Sequence, residues 1–176
     1  MNKFILCCFA LSPLFVSCHS RKVKSIDDDY RSFYHSNVEW TDKLLKSDST
    51  DCLFRMQTFK IVVYFDSAIC MPCELRLIPR WQYMLYEMKD HSSYLDFIFI
   101  FNTLNEDEIS RIFEEHDFPL PFYIDVGCEL KKQNNLPNNR LYHTFLLDKN
   151  NKVMNIGSPI GNSEIWNMYK ETIISK

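Results

Sequence analysis

Glycine is scarce in this chain: there are 3 among 176 residues. That number cannot furnish glycine-rich phosphate-binding loops, nor the many tight turns of an all-β fold. A surplus of positive charge is missing too. Lys and Arg number 20 against 23 Asp and Glu, for a net charge of −3 with both signs interspersed. No basic stripe is left to neutralise a phosphate backbone, which argues against a nucleic-acid binder. Also lacking is an uninterrupted apolar run of the ~20 residues that span a bilayer. Internal repeats and low-complexity tracts are absent, so the chain reads as one domain of ordinary size with at most an appendage. What is present is a large apolar share, 46% hydrophobic and 15% aromatic, enough for a sizeable core. There are also 7 cysteines, an odd number and high for a cytosolic protein.

Met1-Asn2-Lys3 gives a short positive start, and the apolar stretch Phe4–Val16, interrupted by Ser12 and Pro13, suits the core of a secretory signal. It ends in Val16-Ser17-Cys18 ahead of the polar His19-Ser20-Arg21-Lys22. This boundary resembles a bacterial lipobox, where a small residue precedes a cysteine that is diacylated and becomes the new N-terminus. Phe15 stands where leucine is usual. The expectation is a lipoprotein-type signal peptide over residues 1–17, a lipid anchor on Cys18, and a periplasm-facing place in the cell envelope, inner or outer membrane left open. An ordinary signal peptide cut nearby, or an uncleaved anchor, is the alternative. Cys7 and Cys8 then belong to a discarded leader.

Residues 18–50 read as a tether and an N-terminal helix. The tether ends in Asp27-Asp28-Asp29, and a partial helical stripe follows through Tyr30, Phe33, Tyr34, Val38, Leu44 and Leu45. Thr58–Phe65 and Tyr94–Phe101 are apolar without alternation, the pattern of strands buried on both faces, as in a parallel sheet. Glu74–Lys89 predicts one helix with Pro79 near its start. Thr103 and Glu106 have capping-box spacing and open a helix to about His116. A short strand over Pro119–Asp125, a loop rich in Asn and Pro, a hairpin over His143–Leu147 and Val153–Ile156, and a last helix capped by Asn162 or Ser163 complete the order. Right-handed crossovers then close a central sheet covered on both faces. Trp81, Tyr83, Tyr86, Phe97, Phe99 and Phe101 are assigned to the core.

Chemistry is concentrated in Cys70-Met71-Pro72-Cys73, five residues past the first long strand and at the opening of a helix. Unpaired N–H groups at a helix start favour thiolate over thiol, and two intervening residues let the second sulfur close a disulfide within one turn. The first cysteine is then the exposed nucleophile and the second resolves the mixed disulfide. A zinc site would need further ligands at close spacing, and His91, His116 and His143 are scattered. The competing reading is a permanent disulfide that staples a loop. Cys52 and Cys128 are isolated, either two buried thiols, a structural disulfide with each other, or a resolving role toward Cys70.

From about residue 58 to 175 the sequence resembles the thioredoxin superfamily, in particular the membrane-tethered, extracytoplasmic TlpA/ResA-like branch. Lys60–Phe65 followed by Cys70-Met71-Pro72-Cys73 matches that family's strand, CxxC and helix. Phe118-Pro119 with Phe122–Asp125 resembles the branch's additional strand, and Thr144–Val153 its TFLID-type hairpin. The resemblance implies an α/β fold, a thioredoxin-like central mixed β-sheet flanked by helices over residues 51–176, to which the N-terminal helix of residues 18–50 is an extra element. It implies thiol–disulfide exchange through Cys70 and Cys73 with no cofactor or metal, toward protein thiols or disulfides of the cell envelope.

Several positions depart from the pattern. Ile69 stands where tryptophan is usual, and the acid that helps deprotonate the resolving cysteine is missing both at Tyr64 and at Arg76. Tyr142 occupies the place of the cis-proline that faces the CxxC. A non-proline cis bond costs ~3 kcal/mol, so a trans bond is expected and substrate docking should differ. The substrate-loop candidates are therefore Met71, Pro72, Tyr142 and His143. His143 either tunes the thiolate, joins Cys70 and Cys73 on a metal, or points into solvent. A peroxiredoxin-like thiol peroxidase is a rival without its Pro-x-x-x-Thr-x-x-Cys motif. A non-catalytic binding or assembly lipoprotein with a structural disulfide is another.

Overall fold

A computed structural model describes residues 26–46, 57–67 and 71–175. Residues 1–17, Cys18, Cys52 and Cys70 lie outside the described residues, and so do the expectations attached to them. Among the described residues no helix is long and apolar enough to cross a membrane.

The two continuous apolar runs form the middle of the sheet. β2 (Phe59–Phe65) is buried at every residue and pairs in parallel with β3 (Leu95–Phe101), in register from Phe59–Leu95 to Phe65–Phe101. β4 (Phe122–Asp125) extends the sheet in parallel beyond β3. The hairpin β5 (Thr144–Leu147) and β6 (Val153–Ile156) adds to the other side of β2, antiparallel. β1 (Leu44–Lys46) pairs antiparallel with β4, which gives the spatial order β1-β4-β3-β2-β5-β6. This is the mixed central sheet that the sequence implied.

The crossovers from β2 to β3 and from β3 to β4 step the same way, and right-handed connections then put their helices on one face. α3 (Ile78–Glu87), α4 (Glu106–Glu115) and the C-terminal α6 (Ser163–Ile174) share that face. Ile78, Trp81, Ile109, Phe113, Trp166 and Tyr169 pack there against Ile61, Val63, Phe65 and Phe99. Each such side chain contributes roughly 1.5–3 kcal/mol of transfer free energy. The opposite face holds α1 (Ile26–Phe33) and α5 (Glu129–Gln133), whose Phe33 and Leu130 cover Val62, Tyr64, Ile98, Ile100 and Phe145.

The structure corrects four local expectations. The partial stripe after Asp29 is not one helix: α1 stops at Phe33, His35 takes a left-handed φ of 63°, and Val38 N–H bonds the Asn151 carbonyl at 2.8 Å. The segment thus reaches β6 first and β4 next, trading helical bonds for sheet bonds. The helix over Glu74–Lys89 is two pieces, α2 (Met71–Leu75) and α3. Pro79 lacks an N–H and its ring clashes with the carbonyl four residues back, at Leu75, where α2 ends. α4 is capped by Asn105, which accepts from Glu108 N–H and donates to the Glu108 carboxylate at 3.0 Å, while Thr103 only accepts from Asn105 N–H. Finally, Tyr83 and Tyr86 are about two-thirds exposed on α3, outside the core, because the face toward the sheet is already filled by Ile78, Trp81 and Met84.

Candidate functional site

α2 carries Met71, Pro72 and Cys73 out at the end of β2, beyond Asp66 and Ser67. Pro72 and Cys73 are exposed. Cys73 is disulfide-bonded, and its partner lies outside the described residues, where Cys70 is found. The Met71 side chain is likewise outside what is described.

Beside α2 a cavity of about 190 Å³ opens between Glu74, Leu77 and Trp81 on one side and Arg140, Leu141, His143 and Thr144 on the other. Ser158 and Ile160 line it as well. The second wall is built by the turn Arg140–Tyr142, which Asn139 caps by accepting from Leu141 N–H at 3.1 Å. Arg140 reaches across to Glu74 at 3.7 Å. Leu141 is 60% exposed at the rim. Among the described residues no peptide bond is cis, so the bond before Tyr142 is trans. The Tyr142 ring turns away to meet Tyr30 of α1 edge-on, with centroids 5.6 Å apart. Of the loop candidates, His143 therefore lines the cavity, and Arg140 and Leu141 take the place expected for Tyr142. Their signal in the sequence was weak, because nothing in an Asn-rich loop shows which residues fold inward.

His143 is not a solvent-facing side chain: it is 3% exposed. Its ring stands perpendicular to Tyr64, with centroids 5.6 Å apart. Nε2 lies 2.8 Å from the Pro137 carbonyl, which only accepts, so Nε2 carries the proton. Burial pushes the imidazole pKa below its ordinary value, the Pro137 bond opposes that, and Lys131 adds to it.

Behind this cavity lies a buried polar network that the sequence did not announce. Tyr64 donates its hydroxyl to Asp125 Oδ2 at 2.8 Å. Asp125 is fully buried and also accepts from Leu130 N–H at 3.1 Å, while its carbonyl takes Asn102 Nδ2 at 2.8 Å. Lys131 makes an ion pair with Asp66. The expected strand position does lack an acid, but a carboxylate from the end of β4 reaches the residue that stands there. Burial, then Asp125, drive the Tyr64 pKa far up, so its proton stays on. Cys128 is a free thiol beside α5, in a left-handed conformation with φ 59°. It therefore has no disulfide with Cys52. Among the described residues no group of His, Cys, Asp and Glu is arranged to hold a metal ion.

A mixed sheet with α2 following its central parallel strand, an antiparallel hairpin beside that strand and helices on both faces matches solved structures. The thioredoxin domain of a thiol-disulfide oxidoreductase from Bacteroides vulgatus superposes with a TM-score of 0.57 and 12% identity, over 80% of this chain and 97% of that one. The chain has the thioredoxin fold. A thiol:disulfide interchange protein DsbE from Chlorobium tepidum is similar too, at TM-score 0.51 and 13% identity over 67% and 82% of the two chains. No protein-family model and no curated protein matches the sequence. In this fold the cavity lies between α2 and α3 on one side and the turn before the β5–β6 hairpin on the other.

Proposed function

We propose that this protein exchanges disulfides with protein thiols through Cys70 and Cys73. The observation that carries the reading is Cys73, exposed and disulfide-bonded, directly before the cavity-lining Glu74. We assign Cys70 as its partner from the two-residue spacing.

In the reducing direction, the Cys70 thiolate attacks one sulfur of a substrate disulfide. The substrate's other sulfur leaves as a thiolate and takes a proton from solvent. Cys73 thiolate then attacks the Cys70 sulfur, the second substrate sulfur leaves as thiolate, and the protein is left with the Cys70–Cys73 bond. Two electrons pass to the substrate. The reverse sequence oxidises a dithiol, and the reduction potential of the partner sets the direction. A lipid on Cys18 would hold the domain at the periplasmic face of a membrane, with residues 19–25 as tether. The similarity of fold to thiol-disulfide oxidoreductases supports this reading.

The test is insulin reduction and the midpoint potential of the chain from Cys18, beside Cys70→Ser. Turnover that Cys70→Ser abolishes is the expected result. No turnover, with a potential below about −300 mV, would make the bond a structural one. Peroxide consumption lost in Cys70→Ser would instead assign a peroxidase. Palmitate labelling of the full chain, lost in Cys18→Ala, tests the anchor.

A further inference from the structure

Two guanidiniums border the cleft against one carboxylate, in a chain whose net charge is −3. Arg140 lines the cavity with its side chain two-thirds exposed. Its Nη1 stands 3.7 Å from Glu74 Oε1 on the facing wall. That separation is too long for a hydrogen bond, so Glu74 balances part of the charge and leaves the N–H fork open. Arg80 is exposed too, and its N–H bonds the carbonyl of the cavity-lining Leu77 at 2.9 Å. Its Nη1 lies 3.9 Å from where a Cβ on Gly161 would stand, next in the chain to the cavity-lining Ile160. Among the described residues no carboxylate lies within ion-pair distance of Arg80. Lys131 and Asp66 pair with each other.

The turn opposite leaves recognition to these side chains. Leu141 N–H donates to Asn139 Oδ1 at 3.1 Å, Tyr142 N–H to Asn139 O at 3.0 Å, and His143 N–H to Arg140 O at 3.1 Å. The His143 ring N–H is directed to Pro137 O. A segment laid along residues 141–143 therefore meets no free main-chain N–H there. The donors it does meet are guanidinium N–H groups, whose planar fork matches the two oxygens of a carboxylate. Exposed Leu141 adds apolar contact beside them.

We propose that Arg80 and Arg140 select acidic substrate segments: the reacting cysteine of the partner protein is flanked by Asp or Glu, whose carboxylates these two guanidiniums take. This rests on the exchange reading for the cysteine and names the substrate class of that reaction. The charge preference of the cleft is measured without exchange.

The probes are fluorescein-labelled peptides with a central S-carboxamidomethylcysteine, flanked on both sides by aspartate, by serine or by lysine. None of them can exchange. Fluorescence anisotropy on the full chain at about 0.1 M salt is expected to rank them Asp, Ser, Lys, with about tenfold between first and last. Arg140→Glu and Arg80→Glu should each weaken the Asp peptide about fivefold and strengthen the Lys peptide. Glu74→Gln removes the competing carboxylate and should tighten the Asp peptide about twofold, a gain that a misfolded variant does not give. Arg111→Glu, on an exposed α4 residue outside the cleft, makes the same change in net charge and should stay within about twofold of wild type. The Asp preference should vanish near 1 M salt, where the screening length is about 3 Å.

A folded wild-type chain that binds the three peptides alike, or binds none of them, overturns the proposal. So does an Asp peptide whose binding Arg80→Glu and Arg140→Glu leave unchanged, or one that Arg111→Glu weakens as much as they do. An Asp preference in a protein that exchanges no disulfide removes the proposed function and leaves the acidic selectivity standing. Insulin turnover without that preference keeps the function and removes the selectivity.

Discussion

The two faces of the sheet are built from the same strands and treat polarity in opposite ways. Toward α3, α4 and α6, alternate residues of β2 and β3 meet aromatic rings: Phe65 stacks on Phe101 at 4.3 Å, and Trp81 meets Phe99 edge-on at 5.7 Å. Toward α1 and α5, the intervening residues include Tyr64, with Asp125 and the Asp66–Lys131 pair beside it. A strand's period of two sends successive side chains to opposite faces, so β2 serves a dry core and a polar network within one residue of each other. The dry face needs only volume and shape. The polar face needs every donor to meet an acceptor, and it is next to the end of the sheet where α2 begins.

Substitutions should separate these two kinds of stabilisation. Trp81→Ala leaves a cavity among Phe99 and its neighbours and should lower unfolding free energy by about 3–5 kcal/mol in urea titrations. A loss under about 1 kcal/mol would show that this face is loosely packed. Asp125→Ala strands the Tyr64 hydroxyl and Leu130 N–H, and about 1–3 kcal/mol should be lost. Adding Tyr64→Phe should then cost less than the sum of the single changes, because both ends of the bond are gone. Strict additivity would break the network description.

A smaller effect is expected from pH. Burial holds the His143 pKa below its ordinary 6.5, so on acidification the unfolded chain binds a proton that the folded chain refuses. The neutral ring's contribution is complete above about pH 6.5 and declines as pH falls through that value toward the folded pKa, by at most ~1.4 kcal/mol per pH unit. Urea unfolding at pH 7.5 and 5.5 should show a steeper loss for the wild type than for His143→Asn. Equal slopes would mean that His143 takes up its proton without unfolding. The smallest change belongs to Arg140→Ala: the exposed ion pair to Glu74 should contribute under about 1 kcal/mol to stability. A larger loss would make the mouth of the cleft part of the scaffold.

The dry face was more legible in the sequence than the polar one. Phe59–Phe65 and Leu95–Phe101 announce buried parallel strands because a strand covered on both sides has no polar register to keep. CxxC after the first of them is legible for a similar reason: chemistry and spacing lie within four consecutive residues. Asp125 was visible only as the polar end of a short strand. Its bond to Tyr64 spans 61 positions of chain and depends on β4 lying two strands away from β2. His143 was legible as a neighbour of the facing turn, yet its burial and its hydrogen bond to Pro137 O were not. Where the Tyr142 ring goes was not legible, because its partner Tyr30 on α1 is distant in the chain.

The amino-acid sequence by itself determined the order of elements, the alternation that gives β2 two characters, and the pair of cysteines with a leader-like start before them. These are local properties, set by side-chain volume, backbone preference and spacing along the chain. Only the tertiary structure decided that Glu74, Arg140 and His143 share one cleft, and that Asp125 answers Tyr64. Those facts are set by which distant segments the sheet order brings within hydrogen-bond reach, and a bond of 2.8 Å between residues far apart in the chain has no local signature.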